Sequence, residues 1–159
     1  MESFTLENIL KEIVVEARTL RDKHTTEFRA PVNYVAVFAQ TKFEFIKLLN
    51  AVSELGKVIK ETSTGPLFLI RTIETVSGPL RLIKIREPDT TRPERGDADF
   101  TVDDYVKFKA QVLTKSGFSV IERPEMEMIE LVDPKFSVRA YFSNQPLIKQ
   151  LGTCPPLGG

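Results

Sequence analysis

Two aspartates stand two residues apart in the segment Gly96–Asp97–Ala98–Asp99–Phe100. Alternate side chains of an extended strand point the same way, so Asp97 and Asp99 share a face, their Cα atoms roughly 6.5–7 Å apart. Enclosed together, such a pair raises the pKa of one carboxyl and can supply a general acid or base. Basic side chains facing the same space would oppose that shift and could also hold an anionic molecule. Lys84 and Arg86 in the segment 80–86 and Arg139 in the segment 137–142 are candidates for that part. Tyr34 and Tyr141 could add orienting hydroxyls. The competing expectation is that these charges form a salt-bridge network without turnover, the ordinary fate of charged strand residues.

Other chemistry-bearing residues offer less. His24 is the only histidine and lies in a polar stretch with no nucleophile elbow around it, so an exposed loop histidine is expected. Cys154, the only cysteine, sits in a Pro/Gly-rich end, where it reads as a bystander thiol. One cysteine excludes an internal disulfide framework and any multi-cysteine metal cluster. Arg81, Lys84, Arg86, Arg92 and Arg95 are interleaved with Glu87, Asp89, Glu94 and Asp97, with no aromatic stacking platform, which argues against nucleic-acid binding. No glycine-rich phosphate loop or dinucleotide fingerprint occurs. The tripeptide Arg95–Gly96–Asp97 reads as a turn leading into a strand, and Met126 and Met128 as core fillers.

The elements that must position these residues follow from periodicity and punctuation. Leu6, Ile9, Leu10, Ile13, Ala17 and Leu20 paint one stripe along a helix over 4–22, with Ser3 or Thr5 available as its N-cap. Beyond Pro31, prolines and glycines fall between apolar segments and mark strand ends. The segment 33–39 predicts a strand. Thr41–Lys42–Phe43–Glu44 has the form of a capping box, opening a helix with Phe45, Leu48, Leu49, Val52 and Leu55 inward and Gly56 as its C′ residue. Strands follow at 57–61, 66–73 and 80–86. The order then repeats: a strand at 97–102, a helix capped by Asp103 or Asp104, and strands at 118–122, 127–132 and 137–142. The second helix would present Tyr105, Val106, Phe108, Val112 and Leu113 inward, with Gly117 closing it. The reading is a weak internal repeat of β-α-β-β-β, about 55 residues in the first copy and about 47 in the second.

The fold class expected is α+β: two βαβββ modules, 31–88 and 96–143, forming a curved mixed sheet or half-barrel. Residues 1–30 add a helix and linker, and 144–159 form a C-terminal tail. Alternation places Val35, Val37, Ala98, Phe100 and Val102 toward the helices, with Tyr34, Ala36, Phe38, Asp97 and Asp99 opposite. In the fourth strand Leu80, Leu82, Lys84 and Arg86 would share one face. Two curved half-sheets with polar inner faces would enclose a cleft of small-molecule size.

Charge and composition agree with a self-contained domain. The 159 residues are 42% hydrophobic, enough for a core without staples, and 22 basic residues cancel 22 acidic ones. That balance argues against a dedicated nucleic-acid or polybasic membrane-surface protein. No apolar run approaches the roughly 18–20 residues that span a bilayer, and the first residues lack a secretory pattern. A cytoplasmic protein is the expectation.

Several segments resemble those of the vicinal oxygen chelate superfamily, which includes glyoxalases and extradiol dioxygenases. They are NYVAVF (33–38), GDADFTVDDY (96–105) and IELVDPKFSVRAYF (129–142). GPLRLIKIREP (78–88) and RPEMEMIEL (123–131) are also similar to the YecM-like branch of that superfamily. The resemblance covers about residues 32–143. It implies paired βαβββ modules curled around a cavity, and commonly a homodimer. The superfamily's usual metal ligands are a His or Gln on the first strand, an acid on the fourth, a His on the fifth and an acid on the eighth. At those positions this chain has Tyr34, Lys84, Asp97, and Arg139 or Ala140. Two basic side chains would repel a cation, so no metal cofactor is expected. What remains is a metal-free cleft for a small anionic or carbonyl-bearing ligand. Arg86, Lys84 and Arg139 would anchor it, Tyr34 and Tyr141 would line the site, and Asp97 and Asp99 would be the acid/base candidates. A ligand-sensing or scaffold dimer without catalysis is the alternative. The first helix, and Leu147, Ile148 and Leu151 in the tail, could cover the chain's own sheet or a second copy.

Overall fold

The computed structural model describes residues 3–123 and 126–145. Its first element is helix α1 (Ser3–His24). Leu6, Leu10, Ile13, Val14, Ala17 and Leu20 on its inner face are completely buried. The helix begins at Ser3, so Thr5 lies inside its first turn and is not its cap. Strand β1 (Val32–Phe38), helix α2 (Lys42–Ser53) and strands β2 (Gly56–Thr62), β3 (Gly65–Thr75) and β4 (Gly78–Arg86) form the first module. Strand β5 (Gly96–Thr101), helix α3 (Tyr105–Val112) and strands β6 (Phe118–Glu122), β7 (Glu127–Leu131) and β8 (Val138–Ser143) form the second.

All eight strands join one sheet in the order β2-β3-β4-β1-β5-β8-β7-β6. The order reads as two equivalent halves meeting at the antiparallel pair β1/β5. In each half the first strand runs parallel to the last, as β1/β4 and β5/β8 do. This is the duplicated arrangement that the repeat predicts, and the open sheet does not close into a barrel.

The caps show how local sequence starts the helices. Thr41 Oγ1 accepts from the Glu44 N–H at 3.0 Å. Glu44 Oε1 in turn accepts from the Gln40 N–H at 2.7 Å, one residue before the usual capping-box donor. Asp104, not Asp103, caps α3 through the Lys107 N–H. The expected inner face of α3 is narrower than the apolar pattern suggests. Phe108 and Val112 are buried, whereas Val106 is 79% exposed and Leu113 faces solvent in part. Gly56 opens β2 and is not the C′ residue of α2. A Cβ there would stand 1.9 Å from the Leu69 carbonyl oxygen, so its role is close strand approach.

The helices lie on one face only. Val35, Val37, Ala98, Phe100, Val138, Ala140 and Phe142 point toward them into the main core. Helix α1 crosses β1, β5 and β8 and also touches β3 and α2, so its apolar stripe is covered by the chain's own sheet. Its end is tied down by Arg21, a fully buried arginine. Arg21 donates to the carbonyls of Ala30 (2.8 Å) and Phe28 (2.9 Å), and its guanidinium sits 4.7 Å from the Phe100 ring centroid. One face assignment needs correction: Leu80 belongs to the core with Ile83 and Ile85, not with Lys84. The alternation breaks beside an irregular stretch of the β3/β4 ladder, where Leu69–Ile73 faces Leu82–Leu80.

Candidate functional site

The seven residues singled out in the sequence all project from the helix-free face, set in rows by strand register. Lys84 of β4 neighbours Ala36 of β1, Ala36 neighbours Asp97 of β5, and Asp97 neighbours Arg139 of β8. A second row runs Tyr34, Asp99, Tyr141 and Glu130. Arg86 stands beside Phe38 in a third.

The two aspartates lie deep in this surface, Asp99 fully buried and Asp97 2% exposed. Asp99 Oδ2 accepts from Asn33 Nδ2 and from Ser143 Oγ, each at 2.6 Å. Asp97 Oδ1 and Asp99 Oδ1 are buried without hydrogen-bond partners. Burial pushes both carboxyls up to about 7, with the Asp99 charge adding to the effect on Asp97. Arg92, Arg86 and Lys84 oppose the rise at Asp97. Of the tripeptide Arg95–Gly96–Asp97, Gly96 and Asp97 are buried and only Arg95 reaches the surface.

Arg139 and Tyr141 are committed to partners within the fold. Glu130 Oε2 accepts from Tyr141 Oη at 2.7 Å and from Arg139 Nη1 at 3.1 Å. Arg139 also pairs with Glu94 at 3.0 Å. From the segment joining the modules, Arg92 donates to Tyr141 Oη at 2.9 Å and sits 5.7 Å from the Phe38 ring centroid. Residues 87–95 are thereby strapped across the second module's half of the face.

Between the first module's β2–β3 hairpin and the β6–β7 side of the second module the face stays open. A cavity of about 330 Å³ is lined by Tyr34, Lys84, Met128, Arg123 and the β2–β3 hairpin from Lys60 to Thr64, with Met126 at its edge. Lys84 is half-buried and, among the described residues, has neither an ion pair nor a hydrogen bond through its amine. Burial, then the nearby Arg86, lower its pKa to about 8, while Asp97 acts the other way. Burial and the charges of Asp99 and Asp97 hold the Tyr34 phenol well above its ordinary value, so it stays protonated. Arg86 lines an adjoining hollow with Ser63, Thr64 and Asp89, across the hairpin turn from Lys84.

The structure thus divides the predicted site. Tyr34 and Lys84 face the open cavity, Arg86 its neighbour, while Asp97, Asp99, Arg139 and Tyr141 form the buried floor beside it. Sequence reasoning missed Lys60 and Arg123 on the cavity wall, and Glu130 and Arg92 in the floor network. Met128 was expected as core filler, and alternation along β7 (Met128 and Glu130 against Ile129 and Leu131) carried the signal that would have placed it. His24 is the last residue of α1 and half-buried, not a loop residue, and its Nε2 lies 2.9 Å from Asp133 Oδ2. Cys154 and the tail leucines and isoleucine lie outside the described residues.

A divalent metal of the kind the resemblance brings to mind does not fit this donor set. Tyr34, Lys84, Asp97 and Arg139 offer one carboxylate beside two cations, and no histidine. Among the described residues no cluster of three or more His, Cys, Asp or Glu side chains could hold an ion.

No family model matches the chain, and no curated protein does. Solved structures do. A structural-genomics protein, EC4020, superposes with a TM-score of 0.70 at 10% identity, covering 92% of this chain and 89% of its own. A glyoxalase/bleomycin resistance protein/dioxygenase superfamily member from Vibrio splendidus 12B01 aligns with a TM-score of 0.42 at 8% identity, covering 73% and 99%. The likeness to EC4020 is one of fold over nearly the whole chain. No helix among the described residues is long and apolar enough to cross a membrane. With its two βαβββ modules joined edge to edge through β1 and β5, the chain has the paired-module fold that its resemblance to the vicinal oxygen chelate superfamily implies.

Proposed function

We propose that this chain is a small-molecule-binding domain that takes a small anionic or carbonyl-bearing ligand on its helix-free face. The ligand occupies the hollow between the β2–β3 hairpin and Tyr34, with its anionic group on Lys84. One observation carries this reading: a half-buried ammonium group stands on the wall of a cavity with no carboxylate among the described residues paired to it. A cation withdrawn from water without a partner is costly, and a bound anion relieves that cost. Among the described residues, Lys60 and Arg123 add positive charge at the rim against the acid Glu61. Arg86 supplies a second anchor from the adjoining hollow. Arg139 and Tyr141 hold the floor through Glu130. The reading requires no metal, and the single cysteine in 159 residues suits a reducing cytoplasm.

The test is thermal melting of the purified protein with a panel of small mono- and dicarboxylates. Binding at 100 times Kd stabilises by about 2.7 kcal/mol, a shift of several degrees for a domain of this size. A saturable shift that disappears in Lys84→Ala supports the reading. No shift with any anion favours the scaffold-dimer alternative.

A second reading, acid–base chemistry at Asp97 with Asp99 behind it, is favoured by the partnerless Asp97 Oδ1. It requires the strap at 87–95 to lift, because Arg92 and its partners cover that half of the face.

A further inference from the structure

The row across the sheet at Lys84 has a composition that anion binding alone does not require. Its amine lies beside an open cavity, on a strand flanked by Leu67 and Ala36, and the next residue in the row is Asp97. Ala36, itself buried, stands between the lysine and the aspartate in that row. The charges that face Lys84 come from every surrounding element. They are Arg86 on its own strand, Arg92 from the strap, Arg123 after β6, Lys60 and Glu61 from β2, and Asp97 from β5. Cations outnumber acids in this set. An amine desolvated among other cations gives up its proton more readily than one in water, and the neutral nitrogen is the nucleophile.

We propose that Lys84 is an imine-forming residue, condensing with the aldehyde or keto group of a small oxo acid held in the cavity. This rests on the ligand-binding reading above and specifies its ligand class. The neutral Nζ adds to the carbonyl carbon, forming a C–N bond as the carbonyl π pair moves to oxygen, which takes one of the two protons that the nitrogen gives up. A second proton on that oxygen lets it leave as water, and loss of the N–H proton completes the C=N bond. Amine and carbonyl thus give imine and one water, with no oxidant or reductant consumed. The open cavity supplies water for proton exchange and for reversal of the reaction. The carboxylate, drawn in by the Lys84 ammonium, passes to Arg123 and Lys60 on the same cavity wall once that amine has given up its proton.

The experiment treats the full chain with pyruvate and sodium cyanoborohydride near neutral pH and maps reduced adducts by peptide mass spectrometry. Lys84 is expected to be modified at least about tenfold faster than the exposed Lys42, Lys57 and Lys107. Lactate, which has the carboxylate and lacks the carbonyl, is expected to slow that modification by competition. Lys84→Arg should lose the adduct. Modification of Lys84 no faster than that of the exposed lysines overturns the imine. If lactate still shifts the melting point of the wild-type chain in that case, anion binding stands without it. If lactate gives no shift, both readings fall.

Discussion

At the scale of single residues, the helix-free face is a compromise between burial and charge. Asp97 and Asp99 are placed where ionisation is expensive, and folding raises both from the ordinary 3.8 to about 7. Between those values the folded chain keeps protons that the unfolded chain has released, so stability falls as pH rises from about 4 to 7. Lys84 has the opposite sign at the other end. Its pKa drops from 10.5 to about 8, and between these values the unfolded chain holds the extra proton, so stability recovers with rising pH. Asp97→Asn removes one share of the acid-side loss. It is expected to flatten the decline and to stabilise the chain at pH 8 by at least about 1 kcal/mol, read by urea denaturation. Superimposable wild-type and variant profiles would show that Asp97 ionises freely in the fold. The pairing of the two acids was legible from their spacing alone. Which cations answer them was not, because Arg139 is consumed by Glu94 and Glu130, residues distant in sequence that only register brings together.

At the scale of elements, alternation assigned the faces of β1, β5 and β8 correctly because those central strands are regular over the stretch that matters. It failed on β4, where the break beside the β3 irregularity turns Leu80 into the core. No local composition signals that break, since both Leu80 and Leu82 suit either face of a buried strand. The helix caps at Thr41 and Asp104 were readable, being chemistry between residues three apart. The role of Gly56 was not, because it depends on the neighbouring strand. Gly56→Ala places a methyl group against the Leu69 carbonyl and must push β2 away from β3. A loss of about 2–3 kcal/mol in denaturant unfolding is expected. Since that hairpin also walls the cavity through Lys60–Thr64, the anion-dependent melting shift should weaken in the same variant. Full retention of both stability and binding would mean that the strand contact is loose.

At the scale of the whole molecule, duplication explains why a binding site arises where it does. Two modules joined through β1 and β5 bring four first and last strands to the centre of one sheet, and their helix-free sides form a shared polar surface. The halves have then diverged: the strap at 87–95 covers the second module's floor through Arg92, and a cavity remains where the first module's hairpin faces Arg123, Met126 and Met128. That asymmetry was invisible in the repeat itself, whose copies differ little in element order. Helix α1 supplies the cover that the sheet's other face requires, so the concave side need not be filled to stabilise the fold.

The cavity can be watched directly through its methionines. The chain has three, and two of them, Met126 and Met128, line the hollow beside Lys84. In protein labelled with methyl-13C methionine, titration with pyruvate or lactate should move the Met126 and Met128 methyl resonances along saturable curves and leave Met1 in place. The same titration of Lys84→Ala should leave all three still. Methyl signals that do not respond in the wild-type chain, or that respond equally without the lysine, would contradict an anion seated on Lys84.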